Sequence, residues 1–386
     1  MIKIAGNRKP KTEHYFDYTL LFIILFLLGF GLIMVYSTSS YEASVSASLK
    51  YDGAYYLKHQ AFSTVVGLGA MFFVSIVPYH FWERFAVLGY IVSFVLILLV
   101  LTPLGIEANG ARRWLDLGIS VQPAEIAKLC MILFLATMIT KMGKGIRSTK
   151  RFLLILAIPV PICLEVWKIT NNMSSAIIIF GIAFLMLFVA SPDYKKFILI
   201  GVAGVIAVAL LLVVITQADT SSLDFRGNRI LAWLNPEEYA SGTGFQTLQA
   251  LYAIGSGGIF GKGLGQSMQK LGFLPEAQND MIFSVICEEL GLFGGIAVIL
   301  LFVLLIWRFM VIANNAPDLF GALLVVGVLG HIAIQVILNI AVVTNTIPNT
   351  GISLPFISYG GTSVVFLLIE IGLVLSVARG IRLKDV

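Results

Sequence analysis

Apolar residues run in blocks long enough to cross a bilayer, and polar residues collect between the blocks. In windows of about 19 residues the pattern predicts ten helical spans, near 19–36, 60–77, 84–102, 123–140, 152–167, 173–190, 196–215, 282–307, 319–343 and 356–378. A hydrocarbon core about 30 Å thick takes roughly 20 apolar residues in helical form, which is the length of these blocks. The expected fold is all-α: a bundle of about ten transmembrane helices forming one polytopic membrane domain over 1–386. A short tail is expected at 1–17 and a large outer loop, between spans seven and eight, at about 216–281.

Composition agrees with this pattern. With 58% hydrophobic and 12% charged residues and a mean hydropathy of +0.94, the chain has too little polar surface to cover a soluble globule. Cys130, Cys163 and Cys287 lie in apolar spans without metal-ligand spacing, and His14, His59, His80 and His331 are scattered, which speaks against a zinc site. The net charge of +5 needs no nucleic-acid partner, because basic residues beside membrane spans mark the cytoplasmic side. An even number of spans places both termini on one side. Lys141, Lys144, Arg147, Lys150, Arg151, Lys195 and Lys196 fall in short loops on that side, with Lys3, Arg8, Lys9, Lys11, Arg382 and Lys384 in the tails. Of the opposite charges, Arg226, Arg229, Lys262 and Lys270 share one long loop, where charge counts less. Both termini are therefore expected in the cytoplasm, with the first span a retained signal anchor.

Two loops on the outer side stand out. One, about 103–122, contains "NGARRWLDLG", and the other, about 216–281, is far longer than most connections. Trp233, Phe245, Leu248, Leu251 and Tyr252 argue against disorder in the long loop. It is expected to fold back onto the bundle, partly as helices lying in the interface. "QPAEIAKL" opens the fourth span with Pro123 near the first helical position and Glu125 in the first turn, where the helix dipole favours a negative charge. Lys128 follows three residues later, on a neighbouring part of the same face, and lipid would tolerate neither side chain. The pair is therefore interior, either as an ion pair locking two helices or as the charged wall of a cavity that receives an anionic substrate. "IPNTGISLPFISYGGTS" (347–363) leads into the last span with Pro348, Gly351, Pro355, Gly360 and Gly361. Such backbone at membrane depth must be enclosed by protein or line a polar cavity. It is a kinked helix entry or a re-entrant turn whose amides and Ser358 hydroxyl bind phosphate or sugar.

In chain order, "NGARRWLDLG" with "QPAEIAKL", "ILAWLNPEEYASGTGFQTLQALYAIGSGGIFGKGLG", "LPEAQNDMIFSVICEELGLFGG" and "TGISLPFISYGGTS" closely resemble the signature blocks of the SEDS family (shape, elongation, division and sporulation). The resemblance covers essentially the whole chain. "NGARRW" and the "VYSTSS" that ends the first span are more similar to the division branch than to the elongation branch. The resemblance implies a ten-span bacterial inner-membrane glycosyltransferase that polymerises lipid II, an undecaprenyl-diphosphate-linked disaccharide peptide, into glycan strands at the division septum. It also implies partners: a class B penicillin-binding protein, which is a single-span transpeptidase, and other division membrane proteins. One stretch departs from the family. Where members often carry "PDLGT" at the sixth span, this chain has "NNMSSA", with Asn172 in place of the aspartate, so a role for that carboxylate does not carry over.

The implied reaction has clear chemical needs. A sugar hydroxyl of one substrate attacks the anomeric carbon of another and displaces undecaprenyl diphosphate, with inversion if it occurs in one step. A carboxylate base belongs beside the attacking hydroxyl and cations beside the departing diphosphate. Four carboxylates, Glu276, Asp280, Glu288 and Glu289, fall within 274–291, although only 21 of 386 residues are acidic. At 100° per residue, Glu288 lies about 80° from Asp280 and Glu289 opposite it, so the two glutamates cannot both serve one site. Asp280, at the loop-to-helix junction beside a low-dielectric wall that raises its pKa, is the expected general base. Arg112, Arg113, Lys128, Lys262 and Lys270 are the candidate cations, and Glu125, Glu276 and Ser358 are further candidate substrate contacts. No compact carboxylate cluster demands a metal, and the dependence on a divalent cation stays open. The alternatives are an elongation polymerase of the same family, a flippase for the lipid-linked precursor and a non-catalytic scaffold. A flippase calls for charges in both halves of the membrane, whereas here they gather at the outer end.

Overall fold

The computed structural model describes residues 16–108, 110–217, 225–242 and 244–381. The tail residues 1–15, with Lys3, Arg8, Lys9, Lys11 and His14, lie outside the described residues, as do Arg382, Lys384 and part of the outer loop. Each apolar block is a helix because, in hydrocarbon, only hydrogen bonds within the segment satisfy its backbone. The chain runs through α1 (Tyr18–Val45), α2 (Tyr55–Ile76), the short α3 (His80–Glu83) and α4 (Ala86–Leu99). It continues through α5 (Pro123–Met142), α6 (Thr149–Ala157), α7 (Pro159–Ile169), α8 (Met173–Ala190) and α9 (Tyr194–Gln217). Two outer helices, α10 (Phe225–Leu234) and α11 (Phe245–Gly257), precede α12 (Ile282–Asn314), α13 (Leu319–Val343) and α14 (Gly361–Arg379).

The ten expected blocks are helical, with α6 and α7 counted as one: among the described residues nine are long and apolar enough to span a membrane, and the expected 84–102 span is the shorter apolar α4. Two expectations are corrected. The expected 152–167 span is two helices, because Pro159 begins α7 and cannot donate a hydrogen bond to the turn before it. The all-α bundle also carries a small sheet where a polar loop was expected: β1 (Gly105–Ala108), β2 (Ala111–Asp116) and β3 (Ser120–Val121), antiparallel in that order. An Asn-Gly pair at 109–110 is a hairpin signal in its own right.

α13 is the most enclosed span, with 72% of its apolar window buried, whereas α9 lies on the rim with 6%. Phe197 holds the start of α9 by edge-on contacts with Phe152, Phe184 and Phe188. The helix ends divide into two sets. At one end Asp17 caps α1 by accepting from Leu20 N at 2.9 Å and pairs with Arg308 Nε at 2.7 Å. Asp318 caps α13 there and meets His80 Nε2 at 3.1 Å, and Arg379 donates to Ser75 O. The sheet, α10, α11, the irregular chain before α14 and the acidic 274–291 stretch belong to the other end.

Candidate active site

α12 begins at Ile282, so Asp280 sits in the turn before the helix rather than within it. This turn is stitched to the irregular chain before α14. Ser358 Oγ donates to Asn279 O at 2.6 Å and accepts from Leu354 N at 2.8 Å, and Tyr359 N donates to Gln278 O at 2.9 Å. Asn339 of α13 donates to both Asp280 O at 2.8 Å and Ile352 O at 2.6 Å. Gln60 of α2 braces the same chain through Ser358 O and Gly360 N. The hydroxyl of Ser358 is thus engaged on both sides, where it positions the Asp280 turn.

The Asp280 side chain is 8% exposed. Gln246 of α11 donates to its Oδ1 at 3.4 Å and to Pro275 O at 3.2 Å, and is itself oriented by Asn349 Nδ2 at 2.8 Å. Arg229 of α10 donates to Asn349 O at 3.3 Å, within electrostatic reach of Asp280. Burial raises the Asp280 carboxyl to about 7, with the Glu276 charge adding to it and Arg229 and Gln246 opposing it. Such a group is poised between acid and base at neutral pH. Glu276 is exposed in the turn, and its carboxylate accepts from Asn279 Nδ2.

Of the expected cations, the structure brings Arg113 toward this site and places the others elsewhere. Arg113 NH2 donates to Asn171 O at 3.4 Å, and its charge interacts with that of Arg229. Burial lowers the pKa of both guanidiniums. Arg229, absent from the sequence-based candidates, is therefore a neighbour of both Arg113 and Asp280. Its helix is anchored by Trp233 Nε1 donating to Asn345 O at 2.9 Å. Arg112 lies exposed on the sheet, with Nε 3.4 Å from Glu107 Oε2.

Glu125 and Lys128 form a buried ion pair at 2.8 Å, and Ser363 of α14 donates to Glu125 at 3.3 Å. His331 of α13 lies within electrostatic reach of Glu125 and pairs with Glu370 at 2.8 Å. Among the described residues no hydrogen bond or ion pair joins this cluster to Asp280. The expected departure at the sixth span has a local role: Asn172 caps α8 by accepting from Ser175 N at 3.0 Å.

Lys262 and Lys270 are held in ion pairs. Lys262 Nζ lies 2.7 Å from Glu288, which also accepts from Ser267 Oγ and from Met268 N at 3.1 Å. Lys270 Nζ lies 2.7 Å from Glu289, whose carboxylate accepts from Ser37 of α1 at 2.8 Å. Backbone pairing accompanies the charges. α12 is broken at Gly291 (φ 68°), and the freed carbonyls of Glu288 and Glu289 accept from Lys262 N and Gly263 N. Leu292 N and Phe293 N donate in return to Gly258 O and Ile259 O. A Cβ on Gly261 would lie 2.1 Å from Glu289 O, so this approach requires glycine.

Similar proteins align with this chain over nearly its full length. Stage V sporulation protein E of Bacillus subtilis is 42% identical, over 94% of this chain and 97% of its own. The probable peptidoglycan glycosyltransferase FtsW of Trichlorobacter lovleyi is 38% identical, over 97% and 96%. Among solved structures, a chain of a peptidoglycan synthase complex that coordinates polymerization and crosslinking superimposes with a TM-score of 0.76 at 26% identity, covering 94% of this chain and 98% of that one. The rod shape determining protein RodA of Thermus thermophilus gives a TM-score of 0.66 at 26% identity, over 94% and 97%. Residues 18–382 match the model of the FtsW/RodA/SpoVE family of cell cycle proteins, and the chain belongs to that family.

Proposed function

We propose that this chain is a peptidoglycan glycosyltransferase that polymerises lipid II at the outer face of the bacterial cytoplasmic membrane. The observation that carries the reading is the buried Asp280 carboxyl, raised to about 7 and flanked by Arg229, with Arg113 beyond it. Asp280 takes the proton of the acceptor hydroxyl as its oxygen forms the new bond to the anomeric carbon. The bond from that carbon to the diphosphate breaks, and its electron pair leaves with the diphosphate toward Arg113 and Arg229. Inversion at the anomeric carbon follows from this single displacement. Family membership supports the substrate class, since the FtsW relatives are named as peptidoglycan glycosyltransferases.

In this reading both termini and the 141–151 loop face the cytoplasm, and the chain acts as one polytopic unit. A class B penicillin-binding protein docks through its single span, most naturally on α12, whose exposed Phe293, Leu300, Val303 and Trp307 form a lipid-facing stripe. The solved relative from a peptidoglycan synthase complex supports such a partnership. Action at the division septum is favoured by the "NGARRW" and "VYSTSS" stretches, and action during sporulation by the 42% identity to stage V sporulation protein E. Depletion in vegetative cells separates the two: loss of septation supports division, and normal septation with failed spores supports sporulation. The enzymatic reading is tested by incubating purified protein with lipid II, with and without the transpeptidase, and resolving glycan polymer. Absence of polymer in every combination would refute it.

A further inference from the structure

The outer loop carries an apolar tip against the broken part of α12. α11 runs beside the start of α12, from Gln246, which donates to Pro275 O at 3.2 Å, to Gly257, where a Cβ would collide with Cys287 O. The chain then turns at 258–263, where Gly258 O and Ile259 O accept from Leu292 N at 2.9 Å and Phe293 N at 3.1 Å. It returns to Lys270, whose Nζ donates to Ser37 Oγ of α1 at 3.0 Å. Ile259, Phe260 and Leu264 are 65%, 83% and 52% exposed, and Phe260 is the most exposed large apolar side chain among the described residues.

Helical rise fixes the depth of this tip. Asp17 and Arg308, paired at 2.7 Å, mark the opposite boundary of the bundle. From that pair α1 rises about 30 Å to Ser37, the thickness of a hydrocarbon core. The cluster of Ser37, Lys270 and Glu289 therefore stands at the boundary on the Asp280 side. Past its break at Gly291, α12 covers about 22 Å between Phe293 and Arg308, which leaves Phe293, and Ile259 bonded to it, about 8 Å inside that boundary. Charge agrees with this depth. Between Phe245 and Pro275 the only ionised side chains are Lys262 and Lys270, and each is neutralised by a buried glutamate, as hydrocarbon requires. The backbone of the turn is bonded to the open end of α12, which is the condition for irregular chain at this depth. In water the same tip would leave an apolar patch without cover.

We infer that 258–264 is a re-entrant hairpin immersed in the bilayer, and that Ile259, Phe260 and Leu264 lie among the acyl chains of the leaflet on the Asp280 side. The inference rests on helix geometry and charge and holds whatever reaction the protein catalyses. α11 joins this anchor to Gln246, whose Nε2 lies 3.4 Å from Asp280 Oδ1, so the depth of the tip sets the height of that donor.

Full-length protein in nanodiscs of phosphatidylethanolamine and phosphatidylglycerol, doped with a phospholipid that carries a diazirine part-way down one acyl chain, tests the inference by irradiation and mass-spectrometric mapping of the adducts. Adducts are expected on 259–264 and on the exposed Leu300 of α12, the positive control, with none at the exposed Ser241 of the outer loop. A labelled Leu300 with an unlabelled hairpin overturns the inference. So does loss of the hairpin adducts when the transpeptidase binds, which would assign this surface to that partner. Phe260→Asp gives an independent readout, because an exposed side chain in water tolerates the change and an unpaired carboxylate in hydrocarbon does not. Phe260→Asp is expected to lower the unfolding midpoint in nanodiscs and to cut the folded yield roughly tenfold, while Phe260→Leu leaves both unchanged. A Phe260→Asp protein as stable as wild type would place the tip in water and overturn the assignment.

Discussion

Burial sets the high proton affinity of Asp280, and two charges of opposite sign adjust it, each of which can be removed separately. Burial and Glu276 raise this carboxyl to about 7, while Arg229 pulls it down. A base must be deprotonated, so kcat/KM should rise about tenfold per pH unit below the midpoint and level off above it. Glu276→Gln removes a charge that disfavours the carboxylate and should move the midpoint to lower pH. Arg229→Gln should move it to higher pH and also slow the reaction, by roughly 10²–10³ if it stabilises the departing diphosphate. A pH–rate profile with the same midpoint in both variants would show that these neighbours do not govern the base. The place of Asp280 at the loop-to-helix junction was legible in the sequence, whereas the helical phase that set it apart from Glu288 and Glu289 counted a turn that precedes the helix. Arg229 was not legible, since its contact with Asn349 and that of Trp233 with Asn345 join segments far apart in the chain.

At the level of single elements, the outer loop is held to the bundle by the break in α12. Lys270 and Glu289 are both buried, and removing one member leaves the other charge without its partner. Lys270→Met or Glu289→Gln should cost about 3–5 kcal/mol, read as a lower unfolding midpoint and faster proteolysis of the 258–274 segment. The double replacement by apolar residues should recover much of the loss; a double variant as unstable as the sum of both singles would contradict a paired role. The wheel argument set the adjacent glutamates apart, yet both bind the same stretch of the outer loop, Glu288 through Lys262 and Glu289 through Lys270, with Glu289 also reaching α1. The break itself was hidden, because Gly291 reads as an ordinary small residue of an apolar span until its positive φ and the approach of Gly261 are seen. Glu125 and Lys128 were expected as an interior pair, and Ser363 of α14 now supplies their neighbour. Exchanging the two charges should restore folded yield without restoring polymer synthesis if Lys128 contacts phosphate. Full activity of the exchanged protein would leave the pair only a structural role.

For the whole molecule, hydropathy alone located the spans, because bilayer thickness imposes their length. The shortness of α4 and the split at Pro159 depend on local packing and proline geometry that a sliding window averages away. Asp17, Arg308, Asp318 and Arg379 mark one end of the bundle and the Asp280 turn the other. Cysteines introduced at the exposed Ser148 and Ser241 should therefore react from opposite sides of intact cells, and labelling of both from outside would reverse the topology. The central claim is that this bundle carries a polymerase whose base is Asp280. It is tested most directly by giving lipid II to purified wild-type and Asp280→Asn proteins, each with its transpeptidase partner. Wild type should build glycan strands, while Asp280→Asn, equally folded and equally bound to the partner, should build none; near-normal polymer from the folded variant would contradict the account.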